Sequence, residues 1–508
     1  MSRRPRRAAL AATLTVLAGL VSPAPASAHG IGGTFQLPVP LWLYLAAAAV
    51  AVAASFVVTT LVTRGTTVEA RPAGRAVPAW LASAARTTLR AIGLAWWFGA
   101  IGVGFLVGDI SPLPAVLLWI GIWVGLPIAA ALLGNPWPSM SPLRTTFSAI
   151  EWLGRRLGAD RLDAALSYPA GIARWPAVAL LAAGIWAELV LPGRQVAGTV
   201  AWLLLAYTIL SLAGMALFGQ IAWLRNAELF EVELGWFGRI GPIGRRSIST
   251  ALCAGCGDAC EPARCVDCPE CAAAADDPER RPVLRPWITG LREVRRAGWS
   301  DAAFIVLALA GVSYDGLRET RFGASLLDAL LPPVQSVFGS TGTTFLVVET
   351  LALLLVAIAF GAAFTVIVVV THRLSDRDAR RPLAAMAGVY ASTLLPIAAG
   401  YLIAHYLTLV IQGAVWLPSL VVDPLMSLAP ELDWIPTGLV WYLSVAAIVG
   451  GHVAGIVLAH RVALREAPRR SVVAGLPMVA LMIGYTVLSL WIIAQPIVVE
   501  PALALVGM

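Results

Sequence analysis

Residues 344–371 read TFLVVETLALLLVAIAFGAAFTVIVVVT, a run whose one charge is Glu349, before His372 and Arg373 close it. A helix rises about 1.5 Å per residue and needs about 20 apolar residues to cross the hydrocarbon core of a bilayer. The stretch is therefore a membrane span with length to spare. Working outward, runs of the same kind lie near 41–63, 91–108, 113–134, 175–191, 197–223, 301–314, 383–412, 437–460 and 471–494, with 301–314 the shortest. Across 508 residues, 59% are hydrophobic and 13% charged, a balance that excludes a soluble domain. The expected fold is an all-α, polytopic transmembrane helix bundle of about ten spans.

Charge orients it. All 36 basic residues are arginine. Four of them, Arg3, Arg4, Arg6 and Arg7, precede a short apolar stretch, Ala8 to Val21, and the small-x-small triplet Ala26-Ser27-Ala28, which together read as a cleaved signal peptide over residues 1–28. Of the other 32 arginines, 29 fall in the loops after the first, third, fifth, seventh and ninth spans; only Arg194, Arg318 and Arg321 fall in the alternate loops. Positive charge is retained on the cytoplasmic side, so both termini are expected outside a cell (plasma) membrane. The domain plan is then spans one to five over 29–224, a cytoplasmic insertion over 225–300, and spans six to ten over 301–508. The net charge of +7 reports export and topology. It does not point to a nucleic-acid partner.

Between Pro142 and Ala165, Leu143, Phe147, Ile150, Leu153 and Leu157 recur at helical spacing among arginines, the pattern of an interfacial helix or of a loop helix packed on the bundle.

All six cysteines, Cys253, Cys256, Cys260, Cys265, Cys268 and Cys271, sit in the expected cytoplasmic insertion. In a reducing compartment clustered thiols favour metal over disulfides. Paired Cys-x-x-Cys knuckles suit a structural, tetrahedral zinc. Cys265, Cys268 and Cys271 also repeat part of an iron-sulfur spacing, without the closing Cys-Pro. The surrounding carboxylates, such as Asp258, Glu261, Asp267 and Glu270, argue against a nucleic-acid finger.

Ionisable groups inside spans are costly and mark function by default. Topology places Glu188, Asp315, Glu349 and His405 toward the outer half, where His29, the expected new N-terminus, would join them with two nitrogen ligands for copper or zinc. For each carboxylate alone, helix capping or an interhelical hydrogen bond is the ordinary explanation. His452 follows Gly450-Gly451, and Gly451 with Gly455 forms a small-x-x-x-small pair at which another helix can approach. A histidine bonded across that contact is one reading of His452, and a metal or proton site the other.

Several stretches resemble the fenitrothion hydrolase-like membrane proteins of actinobacteria: His29-Gly30-Ile31-Gly32-Gly33 with Leu37-Pro38-Val39-Pro40-Leu41-Trp42, Asn135-Pro136-Trp137, Arg239-Ile240-Gly241-Pro242-Ile243-Gly244-Arg245, Tyr314-Asp315-Gly316, Ala404-His405-Tyr406 and Gly451-His452-Val453-Ala454-Gly455. The resemblance implies a membrane-bound hydrolase of phosphotriesters that acts on a small apolar substrate through a metal-activated water. On that expectation His29 and His405 are metal ligands, and Glu188, Asp315 or Glu349 a further ligand or general base. Two other classes fit the same residues: a transporter or copper-handling permease, and a non-catalytic scaffold whose zinc-stapled loop binds a partner.

Overall fold

In lipid a spanning segment must satisfy its own backbone, and for sequences of this kind the solution is the helix. In the computed structural model, nine helices among the described residues are long and apolar enough to cross a membrane, so the chain is a multi-pass membrane protein. The structure describes residues 35–36, 40–62, 75–158, 164, 166–247, 280–292, 294, 297–376, 381–426 and 434–499. The expected signal peptide, His29 and the six cysteines lie outside them.

In chain order the elements are β1 (Phe35–Gln36), α1 (Leu41–Val62), β2 (Arg75–Ala76), α2 (Ala79–Leu106), α3 (Leu113–Leu133), α4 (Pro142–Arg156), α5 (Trp175–Leu189), α6 (Ala197–Phe218), α7 (Gln220–Asn226) and α8 (Leu229–Phe237). After the strands β3 (Ile243–Ser247) and β4 (Arg280–Leu284) come α9 (Trp299–Arg318), α10 (Arg321–Phe338), α11 (Gly342–Leu374), α12 (Leu383–Ser392), α13 (Leu395–Val422), α14 (Thr437–Glu466), α15 (Ser471–Ile497) and β5 (Val498–Val499). β4 runs antiparallel to β2 and β3, with Leu284 opposite both Arg75 and Ile243, and β1 pairs in parallel with β5. The core is built from Trp97, Trp137, Trp441, Tyr314, Tyr390 and Tyr401, each almost fully buried. Val57, Val58, Leu354 and Ile358 face outward, as lipid-facing side chains do.

Nine of the ten expected runs hold a span-length helix; the one near 175–191 gives only the 15-residue α5, and the one from 197 breaks at Gly219 between α6 and α7. The second span starts at Ala79, not near 91, because Arg86 and Arg90 are carried on its first turns; long basic side chains can lie along a helix while their heads reach a polar boundary. The shortest run, 301–314, becomes the 20-residue α9, enclosed for most of its length. The expected single span from 383 is divided: α12 ends at Ser392 and α13 starts at Leu395 with Pro396 in its first turn, where a missing N–H costs nothing. Ser392 and Thr393 return their hydroxyls to Val389 O and Tyr390 O at the break.

Within α3, residues Val116–Gly125 are wound as a π-helix, and the Leu126 N–H reaches back five residues to Gly121 O. Pro127 follows, and in an α-helix its ring would crowd the carbonyl four residues earlier. Trp119 and Trp123 lie within this stretch, and their indoles reach Arg194 O and the Glu188 carboxylate. Such insertions recur at functional sites.

Of the segment expected as an insertion from 225 to 300, residues 229–237 are folded into the bundle as α8, with Leu229, Phe230, Leu234 and Phe237 buried. The expected amphipathic helix forms as α4: Leu143 and Phe147 are buried, whereas Ile150, Leu153 and Leu157 are exposed beside Trp152. Between α13 and α14 the backbones nearly touch. A Cβ on Gly451 would lie 2.3 Å from Pro396 O, and one on Gly400 2.3 Å from Ala447 O. The small-residue pair therefore does bring a second helix close. His452, fully buried there, bonds through Nδ1 to Ile448 O of its own helix at 2.7 Å, not across the contact.

Candidate functional site

The bundle has two chemically different ends. At one, Arg174 opens α5 and binds Asp301 at the start of α9 and the carbonyl of Arg225. At the other, α5 ends at Glu188 and Leu189, and α9 at Asp315 and Arg318.

The last turns of α9 organise the second end. Asp315 and Arg318 are one helical turn apart, and Nε of Arg318 stands 3.4 Å from Oδ1 of Asp315. The other Asp315 oxygen takes two partners from α13: the ring Nε2 of His405 at 3.0 Å and the hydroxyl of Tyr406, which donates at 2.7 Å. Gly316 makes this approach possible, since a Cβ there would meet the Tyr401 hydroxyl at 2.7 Å and His405 Cε1 at 3.2 Å. Tyr401, one turn before His405, stacks on its ring with centroids 5.7 Å apart, fixing the imidazole plane. Arg318 also donates to Leu189 O at 3.0 Å, placing a cation on the carbonyl end of α5, where the helix dipole favours it.

Glu349 joins through Tyr314, whose hydroxyl donates to Oε2 at 2.7 Å. Glu188 accepts from the indole N–H of Trp123, a residue within the π-helical turn. Arg194, in the loop after α5, is within electrostatic reach of Arg318, Asp315, Glu188 and Glu349; burial, then the Arg318 charge, lowers its pKa while the three carboxylates raise it. Trp119 anchors that loop by donating to Arg194 O at 2.8 Å.

Four residues expected from sequence, Glu188, Asp315, Glu349 and His405, thus gather at one end. A hydrogen bond joins His405 to Asp315; Glu349 is bonded by Tyr314, Glu188 shares a cavity lining with Tyr406, and Arg194 interacts electrostatically with the three carboxylates. Among the described residues, no three His, Cys, Asp or Glu side chains stand together as a metal-ligand set. Sequence reasoning missed Arg318 and Tyr406. The first was visible as a rare arginine outside the charge pattern, three residues after Asp315, and the second as the neighbour of His405.

A cavity of about 40 Å³ adjoins this cluster, lined by Glu188, Tyr406 and Trp123 and, from α8, by Glu233. Glu233 is buried and its Oε2 has no partner among the described residues. Burial, then the charge of Glu228, pushes its carboxyl up to about 8. Glu228 caps α8, accepting from the N–H groups of Phe230 and Glu231, from the Trp137 indole at 3.0 Å and from the Tyr207 hydroxyl. Glu231 pairs with Arg144 at 3.1 Å and faces a second, larger cavity at the opposite end.

No family model, curated protein or solved structure matches this chain.

Proposed function

We propose that the protein is a proton-coupled membrane transporter in which Asp315 and His405 exchange the coupling proton. The observation that supports this reading is the line of ionisable side chains along the bundle interior. Glu231 faces the large cavity, Glu233 faces the small one, Glu188 and Tyr406 line that same small cavity, and Asp315 and His405 lie beyond Tyr406. Chains of acidic and imidazole groups inside membrane proteins serve as proton relays in pumps and transporters. A volume of about 40 Å³ accommodates about two or three waters, enough to join Glu233 to Glu188 and too little for an organic substrate. At 3.0 Å a proton passes between His405 Nε2 and Asp315 Oδ2 without other atoms moving, and Arg318 balances the carboxylate charge when the proton leaves. By the charge rule the Arg174 end faces the cytoplasm and the Asp315 end the exterior.

Purified protein in liposomes holding a pH-sensitive dye tests the reading. An imposed pH gradient is expected to collapse faster than in empty liposomes, with the effect lost in Asp315→Asn and His405→Ala and kept in Glu349→Gln. Equal leak from wild type and both variants would sink it.

The same pair favours a second reading. A histidine oriented by a carboxylate is the geometry of a general base, and the phosphotriester hydrolase implied by the family resemblance would use it, with His29 and a metal completing the site. His405 Nε2 is already engaged by Asp315, so the described residues do not by themselves make up that metal site. Phosphotriester turnover that disappears in His405→Ala, without proton flux, decides for this reading. For the cysteine box we propose structural zinc, with an iron-sulfur cluster as the competitor; metal content and the visible absorption spectrum, compared between wild type and Cys265→Ser, separate them.

A further inference from the structure

A second cavity lies at the opposite end of the bundle from Asp315. It holds about 540 Å³ at the Arg174 end, between the start of α2, the end of α3, α8 and the β3 strand. That volume lies in the range of small-molecule sites, about 300–1,000 Å³. Its chemistry is divided. One wall is apolar, formed by residues such as Leu81, Leu89, Leu126, Ala129 and Leu133; Leu81 and Leu133 are also exposed on the lipid-facing side. The elements from α5 to β3 contribute Arg174, Arg225, Arg239 and Arg245, while Arg86 stands among the leucines of α2; Glu231 is the one acidic residue among the described lining.

Three observations characterise the arginine wall. The guanidinium groups of Arg174 and Arg239 both lie against the ring of Trp236, at 5.8 and 4.8 Å from its centroid. The indole N–H of this buried wall residue has no acceptor among the described residues. Behind Arg239, the buried Arg285 donates to Gly241 O and Gly238 O, and its pKa is pushed down to about 10, first by burial and then by the Arg239 charge.

The corner is also a built feature. Gly134, at φ +127°, lets the end of α3 turn beneath Ile243, whose carbonyl a Cβ would meet at 2.1 Å, and Gly241 packs on the Gly134 backbone. Arg245 donates to Ser139 at 3.0 Å across the mouth. Trp80, in the first turn of α2, is exposed, as tryptophans at a membrane interface are. Basic pockets between helices at that level bind anionic headgroups.

We infer that this cavity binds an amphiphile with a phosphate headgroup, the phosphate on the arginine wall and the chain along α2 and α3. Guanidinium forks match tetrahedral phosphate oxygens, an acceptor set that a neutral headgroup does not offer. The inference uses no residue of the Asp315 cluster and shares with the proton-coupled reading only this cavity and Glu231. Two sources share the chemistry, a phospholipid of the bilayer and a free single-chain phosphate.

The test uses the full chain, purified in a neutral maltoside and stripped of lipid, titrated with n-dodecyl phosphate while tryptophan fluorescence and the thermal midpoint are followed. Saturable binding is expected, weakened at least tenfold in Arg86→Gln/Arg245→Gln and in Ala129→Phe, which fills the apolar half without touching charge. Inorganic phosphate and n-dodecanol are expected to bind at least tenfold more weakly. Displacement of dodecyl phosphate by phosphatidylglycerol identifies bilayer lipid as the source, and its failure identifies a single-chain ligand. Binding unchanged in both variants, or inorganic phosphate binding as well as the amphiphile, would overturn the inference. Because Asp315→Asn leaves this site untouched, dodecyl phosphate binding in that variant is expected to equal wild type whatever its proton flux.

Discussion

Arg318 and Asp315 offer a test in which the charge arithmetic can be checked directly. Their closest atoms are 3.4 Å apart, with side chains 17% and 6% exposed. At an effective dielectric constant of about 20 the attraction at that distance is about 5 kcal/mol. Removing one partner takes from the other its near counter-charge, at a cost of up to about 3–5 kcal/mol, while Asp315 keeps His405 and Arg318 stays within reach of Glu349 and Glu319. Arg318→Gln also weakens the donor to Leu189 O, so it is expected at the upper end. Asp315→Asn keeps an oxygen for Tyr406 and is expected at the lower end. In the double variant neither charge remains, so the two losses should not add: the coupling is expected at about 2–5 kcal/mol. Reversible unfolding in mixed detergent micelles, followed by tryptophan fluorescence for wild type, the two single variants and the double variant, measures it. Additivity within about 0.5 kcal/mol, the usual behaviour of independent sites, would refute the claim that these groups form one electrostatic unit.

Other expectations concern packing and protonation. Gly451→Ala pushes a methyl against Pro396 O and is expected to reduce the yield of folded protein, whereas Gly450→Ala, with open space around its Cβ position, is expected to be neutral in the same detergent-stability assay. Glu228→Ala removes a helix cap and leaves two buried donors, Trp137 and Tyr207, unpaired, so a loss of about 2–4 kcal/mol is expected by micelle unfolding. Glu233, with its carboxyl pushed up to about 8 against an unperturbed 4.5, holds a proton in the folded state that the unfolded chain has released. Its contribution is therefore complete below about pH 4.5 and lost as pH rises toward 8. Glu228, pushed up to about 7 mainly by burial, acts in the same direction. Glu233→Gln should flatten the fall of the thermal midpoint between about pH 5 and 8 and raise it at about pH 8; a slope equal to wild type would contradict the assignment.

Much of the bundle is legible in the sequence because span length is set by the bilayer and not by distant residues. Boundaries were harder where polar residues are carried into the fold. Glu228, Glu231 and Glu233, close together in the chain, made this stretch read as part of a polar loop, yet Glu228 is satisfied by donors from α6 and the turn after α3, and Glu231 is ion-paired with Arg144. Those pairings span up to 91 positions of chain, and no local pattern announces them. Hydropathy alone reads through the break before Leu395, although Pro396 was a visible signal. The outer cluster was legible as a set, since carboxylates and a histidine inside apolar runs are conspicuous. Which of them touch was not, because that depends on Gly316 admitting the rings of α13.

The glycine contact between α13 and α14 has a mechanical consequence. With the Cβ positions of Gly400, Gly451 and Gly455 each within 3 Å of a facing backbone oxygen, the two helices cannot slide or roll past one another without collision, and they move as one block. His405 and Tyr406 ride on that block, while Asp315 and Arg318 ride on α9, which meets it through side chains. Any change of shape at this end is therefore concentrated at the seam between them, and the hydrogen bonds to Asp315 are the stitches that cross it.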